Sequence, residues 1–396
     1  MAENIEILKG TSLWGDAWKR LLKNKLAVFG LIVLGLMIIA VAIGPAIIKW
    51  ATGFTADYIP SSLEGGDLLR SMPPSVQHPM GTDDAGRDLL ARVLQGGRIS
   101  LAVGLISTIV SLIVGVSYGA IAGYLGGRID NFMMRIVDII YAIPYILIVI
   151  VLLNAFGGGN TVALVAGIPM LVVMIVGLIV FSAIAYYVYK IIFDEKNELS
   201  ASSSTMLNIG FYALVIAGFI AVILASSSLN DAFLSQIGNW LGAKYTEYVN
   251  QSLSQILLLF FALGLVSWLT MARVVRGQIL SLKNQEFVTA AKATGVSTMA
   301  IIFRHLVPNA LGPVIVYATL TVPSVMLTEA FLSFLGLGVQ APYASWGSLA
   351  ADGIKNISIF PWQMIFPGVT MALTLFSLNF IGDGLRDALD PQTRKF

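Results

Sequence analysis

The chain has 396 residues, of which 57% are hydrophobic and 12% charged, whereas about a quarter of the residues in an average soluble domain are charged. A net charge of +2 gives no basic excess that would indicate a nucleic-acid partner. The lack of cysteine excludes disulfides, thiolate metal sites and cysteine nucleophiles. Composition therefore excludes an ordinary soluble protein and favours one that resides in a bilayer.

Membrane spans are predicted from runs without Asp, Glu, Lys or Arg, because a helix needs about 20 apolar residues to cross a bilayer. The longest run, 139–189, would be about 75 Å long as one helix, so it is divided at the turn sequence Gly157-Gly158-Gly159-Asn160. The first span follows basic residues but lacks a cleavage site, which indicates an uncleaved helix. The eight predicted spans are 26–48, 99–124, 136–155, 162–191, 206–229, 254–273, 309–330 and 362–383.

The distribution of basic residues predicts the orientation of these spans. With both chain ends in the cytoplasm, 17 Lys and Arg residues fall in cytoplasmic segments and 7 in external segments, as the positive-inside rule requires. The sequence thus predicts an all-α polytopic membrane protein with a cytoplasmic segment 1–25, a first helix 26–48 and an external loop 49–98. The uncharged stretch 330–351 is interrupted by glycines, a proline and Ser345-Trp346, which predicts a short interfacial or re-entrant helix.

Two features within the spans predict local geometry. Gly115, Gly119 and Gly123 recur every four residues and predict a face on which a neighbouring helix packs closely. Pro144 lies inside the third predicted span and predicts a kink there.

The sequence gives no support for catalysis by this chain. No lysine follows a glycine, so the G-x-x-x-x-G-K-[ST] phosphate loop is absent and any ATP hydrolysis must come from another chain. H-E-x-x-H does not occur, and His78 and His305 lie far apart. The one G-x-S-x-G, from Gly115 to Gly119, lies in a glycine-rich apolar span, where a lone serine is no evidence of a nucleophile. We therefore expect no enzyme activity, no metal site and no cofactor in this chain.

Ionisable residues inside the predicted spans are few, and each is costly at the bilayer centre. Glu329 is the main example, while Asp138 and Asp383 lie at span ends. The scarcity of acids argues against an ion-coupled secondary carrier, which is the alternative from a different functional class. For Glu329 two roles stay open, a structural brace for the following re-entrant turn and a place on a translocation path.

A cytoplasmic loop, 274–304, is the most informative segment. Residues from Glu286 to Gly295 predict a short helix stopped by glycine, and Ser297 predicts the cap of a second helix that runs to Pro308. Two short helices joined at a tight turn would form a protruding knob. The small side chains of Ala290 and Ala291 would let a partner surface approach it closely.

At this loop the chain resembles the permease subunits of ATP-binding-cassette importers. Their EAA loop has a glutamate-alanine-alanine triplet, three residues, a glycine, nine residues and a hydrophobic stretch that ends in proline. Here Thr289-Ala290-Ala291 stands at the triplet, Gly295 at the glycine and Pro308 at the end. The threonine is a departure from the family's glutamate. The resemblance implies a coupling loop within 274–308, with Glu286, Thr289, Ala290, Ala291, Gly295, Arg304 and Pro308 as its site residues.

Further motifs narrow the resemblance to the C-type subunit of dipeptide and oligopeptide permeases. One is Gly81-Thr82-Asp83-Asp84-Ala85-Gly86-Arg87-Asp88, and others are Gly97-Arg98-Ile99-Ser100-Leu101 and the stretch from Phe331 to Gly338. Candidate residues for the translocation path or the family motif are Asp83, Arg87, Asp88, Arg98 and Glu329. The resemblance covers 20–156 and about 252–393, and within it the permease core is predicted in two parts, 99–156 and 252–396. Residues 157–251 fall outside the six-span pattern and are predicted to be an insertion of two extra helices and an external loop.

The resemblance implies a type I importer transmembrane domain in the cytoplasmic (inner) membrane. Its implied partners are a homologous permease, two ATPase subunits that bind ATP and Mg²⁺, an external solute-binding protein and membrane lipid, with no nucleic acid. The implied substrates are di- or oligopeptides, and the alternatives within the family are oligosaccharides and nickel.

Overall fold

The computed structural model of the chain describes residues 13–59, 69–156, 251–341 and 343–389. These residues are helical and contain no strand, apart from an isolated bridge between Thr82 and Asp88. Five of the described helices are long and apolar enough to cross a membrane. The helices are α1 Leu13–Leu21, α2 Lys25–Thr52, α3 Leu89–Leu125, α4 Gly127–Ala142, α5 Tyr145–Phe156, α6 Gln251–Leu282, α7 Glu286–Ala293, α8 Thr298–Phe334, α9 Trp346–Ile354 and α10 Trp362–Leu389.

Apart from the third, the predicted spans that the structure describes are recovered, with longer helices than the charge-free runs indicated. α3 begins at Leu89, ten residues before the predicted start, because Asp88 accepts a hydrogen bond from the Ala91 amide and caps the helix. The spans 162–191 and 206–229, and nearly all of the predicted insertion 157–251, lie outside the described residues. Eight spans and two cytoplasmic ends therefore stay predictions.

The third span is wrong as predicted, because 136–155 is not one kinked helix. α4 ends at Ala142 and α5 starts at Tyr145, so the helix is interrupted at Pro144. Proline has no amide hydrogen, and it disfavours helical backbone in the residue before it.

The chain divides into two compact units. One comprises 1–126, 143–149 and 259–396, and the other comprises 127–142 and 150–258. In the first unit α10 packs against α2 and α9, and α8 packs against α3 and α10. The described part of the second unit is α4 with the end of α5 and the start of α6.

The glycine face of α3 packs as predicted. A Cβ built on Gly115 would lie 2.6 Å from the Cβ of Met271, and one on Gly123 would lie 3.0 Å from the Cβ of Ile279. Beside them the rings of Tyr118 and Trp268 meet edge to face with centroids 4.9 Å apart. Hence α3 and α6 approach more closely than larger side chains would permit.

α8 is a continuous helix of 37 residues from Thr298 to Phe334. Within it Ile301–Leu306 is a π-helical turn, in which the Val307 amide bonds to the Ile302 carbonyl five residues back. The prediction of a separate helix ending at Pro308 is therefore wrong. Pro308 has no amide to donate, but the wide turn directly before it lets the helix continue.

Candidate functional site

The knob predicted from the sequence consists of α7 and the turn that joins it to α8. Gly295 has a φ of +77°, and its amide bonds to the Lys292 carbonyl at 3.0 Å while the Val296 amide bonds to the Ala291 carbonyl at 3.1 Å. This pair of bonds is the Schellman motif, which ends helices at a left-handed glycine. Ser297 accepts a bond from the Ala300 amide and starts α8. The predicted glycine stop and serine cap are confirmed.

The inner side of α7 is fastened to the membrane helices. Val288 and Ala291 are buried in one apolar cluster with Val275 and Ile279 of α6 and Ile302 of α8. The ammonium group of Lys292 lies 5.3 Å from the centre of the Tyr124 ring of α3, within cation–π range. The knob is therefore in contact with three long helices, α3, α6 and α8.

The outer side of α7 combines small and apolar groups. Ala290 is exposed, whereas Ala291 is buried, so the expectation that both alanines face a partner is wrong. The reason is helical geometry, since residues one position apart point about 100° apart on a helix. Exposed apolar side chains surround this surface: Phe287, Met299 and Phe303. The predicted site residues Glu286, Thr289, Arg304 and Pro308 are also exposed.

Asp83, Arg87 and Asp88 form a polar network where α3 begins. Asp83 accepts bonds from the Arg87 amide at 2.9 Å and the Arg87 Nε at 2.7 Å, and it also pairs with the buried Arg92. Asp88 contacts the buried His78, with 2.8 Å between Oδ2 and Nδ1. Positive φ angles at Gly81 and Gly86 shape this turn. The network fixes the segment before α3 to the start of the helix.

Gln363 at the start of α10 joins the same segment and was not predicted as a site residue. Its buried amide nitrogen lies 3.1 Å from Oδ1 of Asp84. The same nitrogen lies 3.2 Å from Oγ of Ser71 and 3.2 Å from the carbonyl oxygen of Thr82. Asn356 reaches the other oxygen of Asp84 at 3.0 Å. In the sequence Gln363 could have been noticed as a polar residue at the edge of a predicted span. Its role could not be predicted, because its partners are about 280 positions away in the chain.

Arg98 lies apart from that network. Its guanidinium donates to the carbonyls of Val41 and Ala42 in α2, at 2.9 and 2.7 Å. Pro45 follows Val41 by four residues and cannot donate to it, so Arg98 satisfies a carbonyl that the proline leaves without its helical partner. This contact ties α3 to α2.

Glu329 is 1% exposed, and one of its oxygens accepts two hydroxyl hydrogen bonds. Ser333 on the same helix donates at 2.8 Å and Ser345 donates at 2.7 Å. Ser345 is also the N-cap of α9, where it accepts from the Ser348 amide at 3.0 Å. The short helix predicted in 330–351 is thus present as α9, and Glu329 braces its N-cap residue.

Trp346, the first residue of α9, ties that helix to α3 as well. Its amide donates to Oγ of Ser100 at 2.9 Å, and its indole nitrogen donates to the Val93 carbonyl at 2.8 Å. A Cβ on Gly97 would lie 2.7 Å from the indole ring, so only glycine leaves room for it. Within the described part of the chain, no group of three His, Asp or Glu could hold a metal ion.

Comparison with known proteins gives matches along the whole chain. Residues 115–395 match the family model described as "binding-protein-dependent transport system inner membrane component", and residues 12–62 match the N-terminal transmembrane domain of oligopeptide transport permease C. The oligopeptide transport system permease protein OppC of Escherichia coli K12 is 38% identical over 395 residues, which cover 99% of this chain and 95% of that protein. The dipeptide transport system permease protein DppC of Bacillus subtilis is 35% identical over 96% of this chain and 86% of that protein.

Proposed function

Because the chain belongs to the family of binding-protein-dependent transport system inner membrane components, we propose that it is the transmembrane permease subunit of an ATP-driven peptide importer. The family is one of inner-membrane proteins. Relatives at 35–38% identity over nearly the full chain are named oligopeptide and dipeptide permeases. These names support peptides as the substrate class, with oligosaccharides and nickel as the alternatives.

The observation that carries the mechanism is the knob of α7 and Gly295. We infer that its outer surface docks into an ATPase subunit, with Ala290 permitting close approach and Phe287, Met299 and Phe303 supplying apolar contact. The inner surface is packed on α6 and α8. A movement of the ATPase would then act on those helices, which is how hydrolysis in one protein could change access in another.

The remaining partners follow from the family. A homologous permease would complete the translocation path, and two ATPase subunits would bind ATP and Mg²⁺, since this sequence contains no phosphate loop. An external solute-binding protein would deliver the peptide. The network of Asp83, Arg87 and Asp88 would give the segment before α3 a fixed shape on the external side.

The purified chain alone is expected to hydrolyse no ATP, and peptide uptake is expected only after reconstitution with the second permease, the ATPases and the binding protein. The assay measures phosphate release and uptake of a labelled oligopeptide into proteoliposomes. Preparations with an inactivated ATPase subunit serve as the control for contaminating activity. Saturable ATP turnover by the isolated chain would contradict the proposal.

The orientation of the predicted insertion can be tested with single cysteines, since the chain contains none. A cysteine replacing Ser202 is expected to resist an impermeant thiol reagent in intact cells, and one replacing Asn239 is expected to react. Both positions lie outside the described residues. Permeabilised cells, in which both should react, are the control. Labelling at 202 but not at 239 from outside would reverse the topology.

A further inference from the structure

α1, together with the start of α2, has a surface that the proposed transport function does not use. On one side of α1, Ala17 and Leu21 are buried against Leu385 and Ala388 of α10. On another side Trp18 and Leu22 lie four positions apart, with 54% and 48% of their surfaces exposed. The segment therefore has a second apolar side that the described protein does not cover.

Along the chain this apolar side is followed by exposed apolar residues of α2. Leu26, Phe29 and Ile32 of α2 are each more than half exposed. Only 17% of the most apolar 18-residue stretch of α2 is buried. A span with such a surface contacts acyl chains in a bilayer. Because Trp18 and Leu22 directly precede this span in the chain, lipid is a more natural neighbour for them than a protein.

Lysines border the same stretch. Lys19 and Lys23 are four residues apart, Lys25 starts α2, and all three are exposed without an ion-pair partner among the described residues. Among the acidic residues of α1 and the end of α10, Asp16 and Asp387 have partners, and none of the three lysines is paired with an acid of the described chain. The lysines are therefore available to an outside anion.

We propose that α1 is an interfacial helix whose bordering lysines, Lys19, Lys23 and Lys25, bind the headgroups of anionic phospholipids. Trp18 and Leu22 enter the boundary between headgroups and acyl chains. Tryptophan is typical of that depth, and clustered basic residues beside a span favour anionic lipid. Since α1 packs on the end of α10, a bound headgroup also stabilises that contact.

The first test uses the full chain in detergent, to which phosphatidylglycerol or phosphatidylcholine is added. We expect phosphatidylglycerol to raise the thermal unfolding midpoint and phosphatidylcholine to have little effect. In the double variant Lys19→Gln, Lys23→Gln, phosphatidylglycerol should bind roughly thirtyfold more weakly. The variant Lys355→Gln, which removes an exposed lysine between α9 and α10, should behave like the native chain, as should Lys19→Arg, Lys23→Arg.

A second test locates the lipid and does not depend on the stability of the charge variants. A cysteine at position 22 carries an environment-sensitive fluorophore, in an otherwise cysteine-free chain. Its emission should shift to the blue in vesicles that contain phosphatidylglycerol. Equal stabilisation by both lipids, an unchanged double glutamine variant, or a fluorophore that stays in water would each overturn the proposal. Peptide uptake is not measured, so failure here leaves the transport function untouched.

Discussion

Replacing Gly295 with valine is expected to lower peptide uptake at least tenfold while the chain still inserts into the membrane. A left-handed residue with a Cβ is disfavoured by about 1–2 kcal/mol, and a β-branched side chain is worse than alanine. A Cβ on Gly295 would meet no atom within 4 Å. The effect should therefore come from a changed turn and an obstructed partner surface, with the apolar anchor of α7 left in place. Uptake and ATPase stimulation in the reconstituted complex measure it.

Two matched variants separate these causes. Gly295→Asn should retain most of the uptake, because asparagine tolerates the left-handed conformation. Gly35→Val introduces the same side chain in α2, where a Cβ also meets no atom within 4 Å and no positive φ is required, so uptake should be nearly native. Normal uptake by Gly295→Val would show that this turn does not couple the ATPase to transport.

Replacing Glu329 with leucine is expected to reduce complex yield and uptake more than tenfold, whereas Glu329→Gln should keep uptake within about twofold. Leucine leaves the hydroxyls of Ser333 and Ser345 without their acceptor, and each unsatisfied buried group costs about 1–3 kcal/mol. The carbonyl oxygen of glutamine can accept both hydrogen bonds without a charge. Yield after purification and initial uptake rates are the measurements.

This pair of variants decides between the two roles that the sequence left open for Glu329. If the carboxylate charge acted on the translocation path, Glu329→Gln would assemble normally and fail to transport. Ser345→Ala is an independent check, since it removes one donor and the N-cap of α9 together. We expect it to resemble Glu329→Leu in yield.

Features carried by neighbouring residues could be predicted from the sequence. The stop at Gly295 and the cap at Ser297 depend on residues a few positions away, so the knob was predictable. The apolar spans within α2, α8 and α10 were predictable, because their length and composition are sufficient evidence of a span. Their ends were less predictable, since Arg92 and Arg98 fall inside α3 and suggested a loop.

Contacts between distant residues could not be predicted. Arg98 satisfies carbonyls 56 and 57 positions away, and nothing near it in the sequence shows that Pro45 leaves one of them unpaired. Trp346 bonds to residues about 250 positions away. α1 was missed for a different reason, because its few apolar residues are interspersed with charges and complete a buried face only when α10 is present.

The continuity of α8 has a mechanical consequence. A helix of 37 residues is about 55 Å long at 1.5 Å per residue. One end follows the Schellman turn, and near the other end Glu329 holds the N-cap residue of α9. A tilt of about 10° around one end would displace the other by roughly 10 Å over that length. Because hydrogen bonds fasten α9 to this end of α8, α9 would move together with α8 when the helix tilts.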